Sequence, residues 1–133
     1  MALTKMLIVS GDESIRQEVV QAADGLGYSW FAVSTGTTAS QVILDNPELD
    51  LVIVDRELKD VDGRGLVRRQ ETAAWPKIPA IIISDRVPMR DISHFAGLGA
   101  CYFFAKPVAA AEFMRYMERV INNDVTPETI GSE

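Results

Sequence analysis

The chain has 133 residues, a formal net charge of −6, one cysteine and one histidine, and 47% of its residues are hydrophobic. That length suits one domain around one core, and the acidic balance argues against a dedicated nucleic-acid surface, which needs clustered Lys and Arg to meet phosphates. The lone Cys101 excludes an intramolecular disulfide, and neither a bilayer-length apolar run nor a secretion signal is found, so a cytoplasmic, non-membrane protein is expected.

Residues 6–9 form a first strand-like run, followed by Ser10, Gly11, Asp12 and Glu13. Ile15, Val19, Ala22 and Leu26 recur at helical spacing and predict an amphipathic helix that Gly27 stops. A second strand is expected at 30–33, and a second helix at 37–45 with Ala39, Val42 and Ile43 inward, ended by Asn46 and Pro47. Residues 51–54 are apolar and rich in β-branched side chains, as in a strand buried on both faces of a parallel sheet, and the run ends in Asp55. A third helix after Gly63 is expected to be short, because Gly65 lies within it and Gln70 stands at an inward position.

Residues 80–83 give a fourth strand that ends in Ser84 and Asp85. A helix from about Pro88, with Ile92, Phe95 and Ala96 on one side, should stop at Gly97 and Gly99. Residues 102–104 form the fifth strand and lead to Ala105, Lys106 and Pro107. The last helix, 109–122, places Phe113, Met117 and Val120 at core spacing and leaves Met114 and Tyr116 beside that stripe, where they mark a docking surface. Five strands alternating with five helices predict an α/β fold, a doubly wound parallel sheet in a single domain spanning 1–123. Residues 124–133 read as a polar tail or the start of a linker.

Ligand sites in open α/β sheets lie at the carboxyl ends of the strands, and here those ends carry Asp55, Ser84 and Lys106. Taken singly, the acid starts a turn, the lysine is solvated and Phe103 is core. Taken together and in order, the chain from about Lys5 to Asn123 resembles the CheY-like receiver domain of two-component response regulators, a flavodoxin-like fold. The resemblance implies that Asp55 is the phospho-acceptor, with Lys106 pairing with it and Ser84 supplying a hydroxyl to the phosphoryl group. It further implies that Phe103 is the aromatic switch and that Gly63 closes the loop after the acceptor. Lys106 and Pro107 would be joined by a cis peptide bond.

Receivers carry two adjacent acids after the first strand that bind magnesium with the acceptor, and here Ser10 and Gly11 stand in those positions. Losing carboxylate ligands weakens a Mg2+ site, which would then rest on Asp55 with help from Asp12 and Glu57. The favoured role for Asp12 or Glu13 is instead to serve the N-terminus of the first helix. Arg56 or Arg86 would offer Asp55 a cation in place of the metal. Two functions compete: a phosphorylation-dependent switch, at most catalysing transfer to its own Asp55, and a pseudo-receiver that binds partners without phosphate. A small-molecule binder is disfavoured, since no Ser, Thr and Gly run follows the first strand to cradle a phosphate. The implied partners are a sensor histidine kinase or phosphotransfer protein. An output domain or a second copy would dock on the face of the fourth expected helix, the fifth strand and the last helix. The single His94 has no Cys or acidic neighbours at ligand spacing and is given no role.

Overall fold

The structure, a computed structural model, describes residues 4–68, 78–85 and 101–122. Five strands, β1 (Lys5–Val9), β2 (Ser29–Val33), β3 (Leu51–Asp55), β4 (Ala80–Ser84) and β5 (Cys101–Ala105), form one parallel sheet in the order β2-β1-β3-β4-β5. The helices among the described residues are α1 (Glu13–Gly25), α2 (Gly36–Asp45), α3 (Gly63–Arg68) and α4 (Ala110–Ile121). The expected helix near Pro88, the continuation of α3 through Gln70, Arg86, His94 and the tail lie outside the described residues. The predicted α/β class and five-stranded parallel sheet are present, with four of the five expected helices in view.

β3 and β4 are buried at every position, which accounts for their unbroken apolar composition. α1 turns Val19, Ala22 and Ala23 inward, and α4 buries Phe113, Met117 and Val120, the stripe its spacing predicts. Gly27 follows the C-cap of α1 at φ +73°, a left-handed conformation that glycine adopts without a Cβ penalty, so the helix ends there. Ala109, the N-cap of α4, has no capping side chain, and Glu18 of α1 reaches across to accept the Ala110 N–H at 3.1 Å. No helix among the described residues is long and apolar enough to cross a membrane.

β2 is an edge strand, and Trp30 and Phe31 are exposed there, the indole N–H of Trp30 donating to Asp24 Oδ1 at 2.9 Å. Met114 and Tyr116 pack against the core instead of standing free of it. Tyr116 lies 5.2 Å from Phe104 and 6.4 Å from Phe113 between ring centroids, and its hydroxyl donates to the Phe103 carbonyl at 3.2 Å. Its ring therefore fastens α4 to β5. Tyr116→Ala is expected to destabilise the fold by about 2–3 kcal/mol, within the range for losing a packed large side chain. Denaturant melts of the two proteins check this; a loss within ~0.5 kcal/mol would show that Tyr116 is surface.

Candidate phosphoryl-acceptor site

The strand order reverses between β1 and β3, so their carboxyl ends flank the crevice where open α/β sheets bind ligands. The register aligns these ends: Val9 lies opposite Val54, Asp55 opposite Ile83, and Ser84 opposite Ala105. Ser10, Asp55, Ser84 and Lys106 thus gather along one edge of the sheet. Asp55, Ser10 and Ser84 are its buried polar residues, each no more than 2% exposed.

Both carboxylate oxygens of Asp55 are engaged. Oδ1 lies 3.2 Å from Lys106 Nζ and accepts the Glu57 backbone N–H at 3.0 Å, while Oδ2 accepts the Ser10 hydroxyl at 2.9 Å. A buried carboxylate without such partners would be costly, and here one cation and two neutral donors stabilise it. Lys106 Nζ also lies 4.0 Å from the exposed Asp85 carboxylate. The peptide bond between Lys106 and Pro107 is cis, as the resemblance implied. The Lys106 N–H donates to the Ser84 carbonyl at 2.8 Å, tying the two strand ends together. Phe103 is buried in the core on β5, opposite Ile82 of β4.

Asp12 is the N-cap of α1, its Oδ1 accepting from the Ser14 and Ile15 amides at 2.9 and 3.3 Å. Glu57 presents its backbone N–H to Asp55, and its side chain is exposed. Among the described residues, the cation against Asp55 is Lys106, not Arg56. No cluster of three His, Cys, Asp or Glu side chains suited to a metal occurs among them either. Magnesium takes six oxygens in near-octahedral order and is held by carboxylates with waters. This donor set does not fit that demand: both oxygens of the one buried carboxylate already accept from protein donors, and Asp12 spends its carboxylate on the N-terminus of α1.

The loop after Asp55 is held at both ends. The Gly63 N–H donates to the Arg56 carbonyl at 2.9 Å, and a Cβ at Gly63 would run into the Asp55 carbonyl oxygen. Mid-loop, Asp60 accepts the Gly36 and Thr37 amides at 2.9 Å each and the Thr37 hydroxyl at 2.7 Å, pinning the loop to the start of α2. Sequence reasoning missed this clamp, which joins residues more than twenty positions apart. The hydrogen bonds from Gly36 and Thr37 lower the Asp60 pKa to about 2. Because the folded-state value is depressed, its contribution is fully present above about pH 4 and is lost as pH falls through about 2. In an acid titration, the Gly36 and Thr37 amide resonances should therefore shift with a midpoint well below the ordinary aspartate range. A midpoint near the ordinary aspartate pKa would contradict the clamp.

Residues 6–118 match the family model described as response regulator receiver domain. The chain belongs to this family. It is similar to the regulatory protein VirG of Agrobacterium tumefaciens (strain 15955), with 34% identity over 132 residues, covering 98% of this chain and 48% of VirG. It is also similar to the transcriptional regulatory protein BasR of Escherichia coli (strain K12), at 30% identity over 95% of this chain and 57% of BasR. The chain thus spans about half the length of these curated relatives. Among solved structures, the signal receiver domain of a LuxO repressor protein from Vibrio parahaemolyticus superimposes with a TM-score of 0.78 at 22% identity, covering 92% of each chain. The CheY-like receiver from Methanospirillum hungatei JF-1 gives 0.75 at 19%, covering 92% of this receiver and 96% of that one. The receiver fold and the two-component response-regulator family follow from these matches.

Proposed function

We propose that this receiver accepts a phosphoryl group on Asp55 from a partner histidine kinase or phosphotransfer protein, with magnesium binding weakened by Ser10 and Gly11. The observation that carries the reading is the buried Asp55 carboxylate at the mouth of the crevice, with Lys106 Nζ at 3.2 Å and the Ser84 strand end beside it. An Asp55 oxygen would form the new bond to phosphorus as the bond from phosphorus to the donor's nitrogen or oxygen breaks, the leaving group keeping the electron pair. Lys106 neutralises a phosphoryl oxygen and the Ser84 hydroxyl donates to another, so the protein supplies position and charge rather than further covalent chemistry. Phe103 then acts as the switch, and the change reaches a partner or output domain through β5, α4 and the neighbouring expected helix.

A specific observation favours the second reading, a phosphate-independent interaction module: both oxygens of Asp55 already have protein donors. Beryllofluoride with saturating magnesium separates the two. A phosphoryl acceptor shows amide shifts at Asp55, Ser84 and Lys106 that Asp55→Asn abolishes. An interaction module shows no shift in either protein.

A further inference from the structure

Ser10 stands where receivers carry an acid, yet it is almost fully buried and its hydroxyl does two things at once. It donates to Asp55 Oδ2 at 2.9 Å and accepts the Asp12 N–H at 3.1 Å. A hydroxyl has one proton, and the contact to the Asp12 carbonyl, at 3.5 Å, is too long to compete for it. The Ser10 backbone is fixed as well: its N–H donates to the Val33 carbonyl at 3.1 Å, and its carbonyl accepts from Arg16 at 2.7 Å. The donor is therefore aimed by its surroundings rather than by chance of rotamer.

We infer that Ser10 is a positioning residue, an internal latch whose hydroxyl holds Asp55 Oδ2 in the resting state and competes with a divalent cation for that oxygen. The inference rests on the reading of Asp55 as the acceptor, and it concerns how the resting carboxylate is held rather than whether it is phosphorylated. Its physical content is a linkage. Ser10 stabilises the cation-free state by satisfying a buried oxygen that would otherwise lack a donor, so a cation that takes Oδ2 competes with the hydroxyl for it. Lys106 already offsets the Asp55 charge, and the latch leaves neither carboxylate oxygen without a protein donor.

The consequence runs opposite to that of a serine acting as a metal ligand. Ser10→Ala removes the competitor and leaves Oδ2 unpaired in the cation-free state, so magnesium affinity should rise several-fold. The gain in melting temperature on adding magnesium should also exceed that of wild type. Ser10→Cys keeps the shape with a weaker donor and should fall between the two, which preserves the test if the alanine variant does not fold without cation. Calorimetric titration with magnesium alone, paired with thermal melts in chelator and in magnesium, reads both quantities without any phosphodonor. A failure of Asp55 to accept phosphate would leave these readings untouched and so stays distinguishable. Magnesium affinity that is unchanged or weaker in Ser10→Ala, or in Ser10→Cys, would overturn the latch.

Discussion

Gly63→Ala is expected to destabilise the fold by about 3 kcal/mol, the upper part of the range for overpacking a closed site, and to lower the melting temperature by roughly 10 °C. The reason is geometric. A Cβ at this position would collide with the Asp55 carbonyl oxygen and lie 2.9 Å from Arg56 Cα, and both obstacles are backbone that cannot rotate aside. The Gly63 N–H also donates to the Arg56 carbonyl at 2.9 Å, so withdrawal of the chain to make room breaks that hydrogen bond. Because the displaced atoms are those of Asp55, the proposed acceptor, any folded fraction should also show a slower reaction there. Melts of the purified variant check the first effect, and a loss below ~1 kcal/mol would show that the loop can shift freely.

The double change Ser10→Asp with Gly11→Asp is expected to tighten magnesium binding by at least about 10-fold. Losing an outer partner of a metal typically costs 10–100-fold in affinity, and two direct carboxylates should bring no less. Space is available at position 11, where a Cβ meets nothing nearer than the Ser34 carbonyl oxygen at 3.7 Å, an ordinary contact. Position 10 is buried against Asp55, so its new carboxylate repels the old one until a cation separates them. The variant should therefore melt below wild type in chelator and recover in magnesium. Equal affinity before and after the change would contradict the proposal that Ser10 and Gly11 weaken magnesium binding.

Much of the fold was legible because its signals are local. The apolar run 51–54 closed by Asp55, the helical stripe Phe113, Met117 and Val120, and the alternation of strands with helices all depend on neighbours in sequence, and the structure has them as expected. Asp55 and Lys106 could be paired from the sequence only through the family resemblance, and they lie 3.2 Å apart. The Ser10 latch was not legible, because a serine read against a pattern of acids registers as a loss. Its gain depends on β1 and β3 being neighbours, which no spacing reveals.

The Asp60 clamp on α2 and the Glu18 cap on α4 escaped for the same reason: each joins an acid to backbone amides on a distant segment. The strand through Trp30 and Phe31 is present as expected, but its edge position depends on the strand order, because an edge strand and a central one share the same apolar lettering. The spacing of Tyr116 gives its place on α4 but not its reach. It lies beside the core stripe of α4, yet the ring is long enough to reach Phe104 and the β5 backbone.

The central claim is that Asp55 is the residue that takes up phosphate. An aspartyl phosphate is an acyl phosphate, and borohydride reduces it to homoserine, leaving a mark at the acceptor that survives digestion. The protein is incubated with acetyl phosphate and magnesium, reduced, cleaved and mapped by mass spectrometry. Homoserine at position 55, absent from Asp55→Asn and from protein not exposed to acetyl phosphate, is the predicted result; no homoserine at position 55, with or without a mark at another acid, would contradict the account.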